Sequence, residues 1–160
     1  MKRLNLKVGF LISKSLGKIL LEKLHIFFDV NNIIVFHPND KSDERSKFFE
    51  IKELCKNKNI KIKFSKDKKN FYNQIYNEKL DIIFCSNWYY MIDKKILYNL
   101  SNGAYGIHPS LLPKYKGGSP LSNSIINGDK IIGTTFFKFT DKVDSGPILD
   151  QFKFKLKKHE

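Results

Sequence analysis

Short apolar runs alternate with amphipathic stretches along roughly the first hundred residues of this 160-residue chain. The apolar runs are typical of buried strands, and the stretches between them carry apolar residues at helical spacing. This alternation favours parallel strands, because a parallel connection needs a long crossover and a helix usually supplies it. The sequence therefore predicts an open α/β sheet that is mostly parallel, with crossover helices.

The predicted elements follow this alternation. We predict strands over residues 6–13, 32–37, 60–65 and 81–88 and helices over residues 15–28, 43–59, 68–80 and 93–100. Ser15 is the candidate N-cap of the first helix. Farther along, we predict strands over residues 104–108, 132–140 and 148–158 and a helix over residues 119–129. The last strand alternates Phe and Leu with Lys, so we expect one exposed face near a sheet edge.

The formal net charge of +13 suggests an acidic partner such as nucleic acid. Lysine supplies nearly all of it, since arginine occurs only at Arg3 and Arg45. Lys, Asn, Ile and Phe are all abundant, which is typical of an AT-biased coding sequence. Solvated lysines on helix faces are therefore the simpler interpretation of the charge.

Other totals limit the class of protein. No apolar run approaches the roughly 18 residues of a membrane span. Lys7 interrupts the apolar N-terminal stretch, so we interpret that stretch as a first strand rather than a signal peptide. Cys55 and Cys85 have no paired or metal-type spacing. We expect a cytoplasmic protein with no metal site, no disulfide scaffold and no membrane partner.

Ligands of open α/β sheets bind at the carboxyl ends of the strands. This rule selects four candidate segments before any chemistry is considered. They are residues 13–15, 37–40, 86–90 and the loop that begins at His108.

The sequence GIHPSLLPKYKGGSP, from Gly106 to Pro120, gathers three of the five prolines and three of the nine glycines around His108. Prolines fix φ on either side of the loop, and Gly117 and Gly118 allow the backbone to approach a ligand closely. An imidazole held in such a loop suits general acid–base chemistry. We therefore predict that His108 is catalytic.

A histidine with this role needs a carboxylate to orient it. Asp141 and Asp144 both lie in FTDKVDSGPI, a turn after a later predicted strand. Asp141 equally fits an ordinary turn aspartate that bonds its own backbone. Asp144 adjoins Ser-Gly-Pro and follows His108 by 36 residues, enough for a helix and a returning strand, so it is the better partner.

Three segments together resemble the formyltransferase catalytic domain: HPSLLPKYKGGSP, IINGDKIIGTTFFKF and VDSGPI. This family includes glycinamide ribonucleotide, methionyl-tRNA and sugar-amine formyltransferases. The resemblance is strong from Asp81 to Gln151 and extends to the earlier half in layout only. It implies the Rossmann-like formyltransferase fold in a single catalytic domain over residues 1–160. Relative to the family pattern we expect this domain to be short at its C-terminus, as either a compact version or a fragment, without a separate C-terminal tRNA-binding domain.

The resemblance also implies a reaction, in which 10-formyltetrahydrofolate gives its formyl group to a primary amine without a metal. His108 would stabilise the tetrahedral intermediate and move protons, and Asp144 would orient His108. The implied cofactor-binding residues are Trp88, Tyr89, Tyr90, Met91, Ile92 and Asp141. The implied acceptor-binding residues are Ser110, Leu111, Leu112, Pro113, Lys116, Gly117 and Gly118.

One position departs from the family pattern. Many members carry Asn-x-His, in which the asparagine donates to the oxyanion, and Gly106 stands at that position here. Loss of such a donor costs on the order of a hundred- to a thousandfold in rate. Either Asn87 or a backbone N–H substitutes for the asparagine, or the protein is slow or inactive.

The acceptor is open between two classes. A small amine, such as a nucleotide-linked amino sugar, is the first, and methionyl-tRNA, consistent with the basic charge, is the second. Hydrolysis of formyltetrahydrofolate and an inactive folate-binding homologue are further alternatives. The sequence contains no RNA-stacking motif, and it leaves the oligomeric state undetermined.

Overall fold

The structure is a computed structural model that describes residues 3–65 and 67–156. The end of the last predicted strand, at residues 157–158, lies outside the described residues. The chain divides into two compact units, a first that ends at Ala104 and a second that begins at Tyr105.

Four parallel strands form the sheet of the first unit. They are β1 (Val8–Ile12), β2 (Ile33–Pro38), β3 (Lys61–Ser65) and β4 (Ile82–Ser86). β1 lies between β2 and β4, and β3 pairs with the other edge of β2. All residues of β1 and β2 are buried, as their continuous apolar sequences predict for strands covered on both faces. The predicted parallel sheet with crossover helices is confirmed in this unit.

Helices connect these strands. They are α1 (Lys14–Leu24), α2 (Phe48–Asn57) and α3 (Lys68–Asn77), with short 3₁₀ turns at His25–Phe27 and Val30–Asn32 between α1 and β2; a fourth helix, α4 (Lys94–Asn99), follows β4. Aspartates cap two of them, since Asp67 and Asp93 each accept a hydrogen bond at 2.7 Å from the backbone N–H two residues later. None of the helices in the described part of the chain combines the length and apolar character that a membrane span requires.

Several helix boundaries differ from the predictions; α1, for example, ends at Leu24 rather than at residue 28, because the 3₁₀ turn His25–Phe27 follows it. The starts of α1 and α2 differ for a visible physical reason. Ser15 is inside α1 rather than its N-cap; Ser13 occupies the cap position, and its hydroxyl donates to Asp40 instead of the helix. α2 begins five residues later than predicted, because the backbone from Asp43 to Ser46 closes a turn with an N–H···O distance of 2.8 Å. At Ser13 the hydroxyl that could cap the helix is bonded to Asp40, and at Asp43–Ser46 the backbone N–H and carbonyl are bonded to each other in a turn.

The core of the first unit lies where helix faces meet β1 and β2. Phe10 of β1 stacks on Phe84 of β4 with ring centroids 5.7 Å apart. Leu21 of α1 and Ile51 of α2 are fully buried against the same cluster. These contacts fix the strand ends from which the polar loops of this unit emerge.

Glu78 directly follows α3 as its C-cap and lies among three lysines. Its carboxylate oxygens are 3.0 Å from Nζ of Lys7, 2.9 Å from Nζ of Lys61 and 2.5 Å from Nζ of Lys63. Burial opposes ionisation of this carboxyl, but the hydrogen bonds from Lys63, Lys61 and Lys7 prevail and lower the pKa of Glu78 to about 2. The ionised carboxylate therefore stabilises the folded state.

We expect Glu78→Gln to lower the free energy of unfolding by about 2 kcal/mol at pH 7, as measured by urea unfolding. A lowered pKa means that the wild-type advantage is complete above the ordinary value of 4.5 and is lost as the pH falls toward 2. Glu50→Gln is the matched control, because Glu50 is exposed on α2 beside Lys47 and its ion pair contributes little. Equal losses in the two variants would contradict the assignment.

The described residues of the second unit form three antiparallel strands and one helix, and the first of these strands begins at Ala104, the last residue of the first unit. The strands are β5 (Ala104–His108), β6 (Ile131–Lys138) and β7 (Ile148–Lys155), and α5 (Pro120–Ile126) lies between β5 and β6 in the sequence. β6 pairs with both neighbours, so β7 is at the edge of this unit, as predicted.

The expectation that β7 exposes only one face is wrong. Seven of its eight residues are exposed, including Phe152 at 61% and Phe154 at 54%. β7 pairs with β6 on one side only, and the described chain leaves both of its faces largely in solvent. The Phe–Lys alternation therefore marks a strand, but it does not mark a buried face.

Candidate active site

His108 is the last residue of β5 and is 8% exposed. Its Nε2 is 2.8 Å from the carbonyl oxygen of Tyr115, and its Nδ1 is 3.4 Å from Oδ2 of Asp144. A carbonyl oxygen can only accept a hydrogen bond, so Nε2 carries a proton and donates it. The nitrogen that remains for proton exchange is Nδ1, on the side of the carboxylate.

Asp144 reaches His108 from the turn between β6 and β7. Its backbone has a φ of +43°, in the left-handed region that few residues other than glycine adopt. Oδ2 also accepts a hydrogen bond at 2.8 Å from the backbone N–H of Gly117, whose own φ is +87°. The structure thus brings together the imidazole and carboxylate that the sequence pairs across 36 residues.

The Ser110–Pro113 loop is anchored to the sheet of the second unit. Buried Oγ1 of Thr135 on β6 donates to the carbonyl of Ser110 at 2.7 Å and accepts from the N–H of Leu112 at 3.0 Å. The side chain of Gln151 on β7 donates to Oγ1 of Thr135 and to the carbonyl of Leu112, both at 2.9 Å. This network fixes the loop that follows His108.

Some of the predicted acceptor-binding residues are buried, and the others are half-buried or exposed. Ser110 and Leu112 are buried, and the Ser110 hydroxyl donates to the carbonyl of Lys114 at 2.7 Å, within the loop. Lys116 is exposed, and its Nζ donates to Oγ of Ser145 at 2.8 Å. Lys116 therefore spans the two segments that carry His108 and Asp144. The remaining members of this set, Leu111, Pro113, Gly117 and Gly118, are half-buried or exposed.

Tyr115 and Asp129 were not predicted. The Tyr115 hydroxyl donates to Oδ2 of Asp129 at 2.9 Å, and this hydrogen bond raises the pKa of Tyr115. Asp129 belongs to the Gly-Asp turn after α5, which the sequence marks only as part of a motif. Tyr115 and Asp129 are 14 residues apart and lie in two different loops, so no local sequence pattern predicts their hydrogen bond.

Five of the predicted cofactor-binding residues, Trp88 to Ile92, lie in the first unit, directly after β4; they are called the cofactor wall below. Trp88 packs edge-on against Phe71 with ring centroids 4.9 Å apart, and Tyr90 packs edge-on against Trp88 at 5.9 Å. Ile92 is buried as well. Aromatic and aliphatic side chains here thus contribute to the core of the first unit.

Two other members of the wall are open to solvent. Tyr89 and Met91 are 43% and 48% exposed, so both offer apolar surface to a ligand. Asn87, a candidate substitute for the missing oxyanion donor, is exposed in the first unit with a φ of +52°. Asp141 is exposed in the second unit, in the turn that contains Asp144. Their roles in binding remain predictions.

The ends of β1, β2 and β4 also meet, as the strand-end rule predicts. Asp40 accepts hydrogen bonds from Ser13 at 2.6 Å and from the Tyr89 hydroxyl at 2.9 Å. Burial opposes its ionisation, but these bonds and one from Ser46 hold the pKa of Asp40 below its usual range. His37 is fully buried beside this cluster, and burial lowers the pKa of its imidazole.

A cavity of about 570 Å³ adjoins the Ser110–Pro113 loop in the second unit. Its described lining includes Leu111, Tyr115, Asp129, Gly133 and Lys153. Across residues 3–65 and 67–156, no three His, Cys, Asp or Glu side chains are grouped in a way that could hold a metal ion.

Known proteins resemble this chain in sequence and in fold. The family described as Formyl transferase matches residues 7–160. The bifunctional polymyxin resistance protein ArnA of Wigglesworthia glossinidia brevipalpis is 33% identical over 129 residues, which is 79% of this chain and 20% of that protein. The methionyl-tRNA formyltransferase of Buchnera aphidicola is 40% identical over 79 residues, which is 49% of this chain and 24% of that protein.

Solved structures show the same fold. Phosphoribosylglycinamide formyltransferase from Anaplasma phagocytophilum superposes with a TM-score of 0.76 and 21% identity, over 98% of this chain and 76% of that one. An N-formyltransferase from Helicobacter canadensis, solved with folinic acid and dTDP-3-aminofucose, has a TM-score of 0.72 and 21% identity, over 94% of this chain and 53% of that one.

The chain spans only a fifth to a quarter of the length of ArnA and of the Buchnera aphidicola methionyl-tRNA formyltransferase. The predicted Rossmann-like formyltransferase fold is confirmed by the structural likeness. Since the family match extends over nearly the whole sequence, from residue 7 to residue 160, the chain belongs to the formyl transferase family.

Proposed function

We propose that this chain transfers a formyl group from 10-formyltetrahydrofolate to a primary amine. The observation that supports the proposal is the pairing of His108 with Asp144, at 3.4 Å, in a chain of the formyl transferase family. The folate supplies the formyl group and leaves as tetrahydrofolate. The chain supplies the groups that hold the imidazole and move the proton.

The proton balance of this reaction suits the geometry of His108. The amine loses one proton as its bond to the formyl carbon forms, and the departing folate nitrogen gains one. Nδ1 of His108 is the ring nitrogen left to exchange that proton, because Nε2 donates to the carbonyl of Tyr115. A proton received at Nδ1 faces the carboxylate of Asp144. Asp144 in turn is held by the N–H of Gly117.

The first acceptor that we propose is a small amine, such as a nucleotide-linked amino sugar. The Helicobacter canadensis structure, which contains dTDP-3-aminofucose, supports the compatibility of the fold with such an acceptor. The exposed Lys116, tied to Ser145 at the edge of the site, offers a cation to the phosphates of such an acceptor.

Methionyl-tRNA is the second acceptor, and two observations favour it. Identity reaches 40% with the Buchnera aphidicola methionyl-tRNA formyltransferase over the segment that the two chains share. The net charge of +13 also suits a polyanionic acceptor.

The test follows tetrahydrofolate release from 10-formyltetrahydrofolate with each acceptor in parallel. One reaction contains a dTDP-linked amino sugar, a second contains initiator methionyl-tRNA, and a third contains no amine. Release that depends on an amine supports the proposal, and the amine that is formylated identifies the acceptor. Formate release without an amine would indicate hydrolysis, and tight folate binding without turnover in all three reactions would overturn the proposal.

Binding of tRNA over a salt series adds an independent measurement. Contacts to several phosphates give a steep fall of affinity with salt. A flat response would exclude methionyl-tRNA as the acceptor even if the small amine were inactive.

A further inference from the structure

We propose that Tyr115 and Asp129 are positioning residues that hold the imidazole of His108 in the tautomer with its proton on Nε2. This inference rests on the proposed function of His108, because only a proton-exchanging imidazole needs a fixed tautomer. Neither residue is among those that the sequence marks for catalysis or binding.

The tautomer of a histidine is set by the hydrogen bond that its other nitrogen makes. For His108 that bond is from Nε2 to the carbonyl oxygen of Tyr115, at 2.8 Å. The direction of this carbonyl therefore decides which ring nitrogen is left for the substrate.

The carbonyl direction depends on a strained backbone. Tyr115 has a φ of +56°, in the left-handed region, where a bulky residue stays only if its surroundings hold it. The Tyr115 hydroxyl supplies that hold, since it donates to Oδ2 of Asp129 at 2.9 Å. Without this bond the residue is free to return to an ordinary φ, which would turn the carbonyl away from Nε2.

Asp129 is itself firmly placed. Its backbone N–H donates to the carbonyl of Ser124 in α5 at 3.0 Å, directly after Gly128, whose φ is +71°. The side chain thus projects from a closed turn at the C-terminus of a helix. The hydrogen bond from Tyr115 therefore joins the imidazole loop to a regular element.

The same short loop also holds the other side of the imidazole. Two residues after Tyr115, the N–H of Gly117 donates to Oδ2 of Asp144, which faces Nδ1 of His108. A change in the backbone at Tyr115 would therefore disturb both partners of the ring. This is why the hydroxyl of Tyr115, although its hydrogen bond is to Asp129, is expected to affect His108 and Asp144.

The test reads the tautomer directly in the free protein, by long-range ¹H–¹⁵N correlation NMR of the histidine side chains. The His108 signals are assigned by their loss in His108→Gln. We expect the wild type to show a protonated Nε2, and we expect Tyr115→Phe and Asp129→Leu to populate the other tautomer about tenfold more. Asp129→Asn keeps an acceptor oxygen and is expected to retain the wild-type tautomer.

Tyr98→Phe is the control, since Tyr98 on α4 is 78% exposed. In steady-state assays we expect kcat of Tyr115→Phe to fall about tenfold with little change in KM. An unchanged tautomer in folded Tyr115→Phe and Asp129→Leu would overturn the proposal. The NMR result needs no substrate, so a tautomer shift without any formylation would instead support the positioning role and contradict the proposed function.

Discussion

Replacing His108 with glutamine is expected to lower kcat for formyl transfer by about a thousandfold, because the proton from the amine then lacks an acceptor. Asp144→Asn is expected to lower kcat by about a hundredfold, since the amide cannot balance a charged imidazole. KM for the folate is expected to change little in either variant. The measurement is tetrahydrofolate release under saturating conditions.

Asp150→Asn is the matched control for this pair. Asp150 lies exposed on β7, where its carboxylate accepts from the N–H of Gln151 at 2.8 Å, and the variant is expected to keep wild-type kcat. The double variant of His108 and Asp144 is expected to be no slower than His108→Gln alone, because the two groups act as a unit. Additive losses, or full activity of His108→Gln, would contradict the proposed mechanism.

Gly106→Asn is expected to raise kcat by about a hundredfold, because it supplies the amide donor that the resemblance to the formyltransferase pattern implies two residues before the histidine. Gly106 lies buried inside β5 opposite Phe137, and it is not among the glycines with a left-handed φ, so its backbone conformation admits an asparagine. The new amide is expected to stabilise negative charge on the formyl oxygen. Initial rates at saturating folate and amine measure the gain.

The isosteric variant Gly106→Asp separates charge from shape. A carboxylate at this position accepts hydrogen bonds and repels an oxyanion, so we expect no gain in kcat. Equal rates in the asparagine and aspartate variants would contradict the prediction, because they would show that an amide at this position does not act as an oxyanion donor. Asn87 would then be the next residue to replace, since it is the other side chain that the sequence suggests for this role.

The strands and the contact between His108 and Asp144 could be predicted because their signals are local. The buried strands β1 and β2 appear as continuous apolar runs, and Gly and Pro mark the loop after His108. Asp144 could be paired with His108 because its turn combines a carboxylate with Ser-Gly-Pro. In these cases the residue type and its neighbours carry the information.

The remaining features depend on contacts between distant segments. The Tyr115–Asp129 bond and the anchoring of the loop by Thr135 and Gln151 join residues that share no periodic pattern. The start of α2 was missed because Asp43 opens a turn where propensity alone favours a helix. Sequence pattern specifies which elements form, whereas these tertiary hydrogen bonds specify where particular side chains lie.

Two of the lysines that make the chain basic, Lys153 and Lys155, lie on the exposed edge strand β7. An open edge with Phe152 and Phe154 on its surface could pair with the same edge of a second molecule. Lys153 and Lys155 alternate with these rings, so antiparallel pairing of two such edges would place ammonium groups close together. Repulsion between these like charges opposes edge-to-edge pairing of two β7 strands.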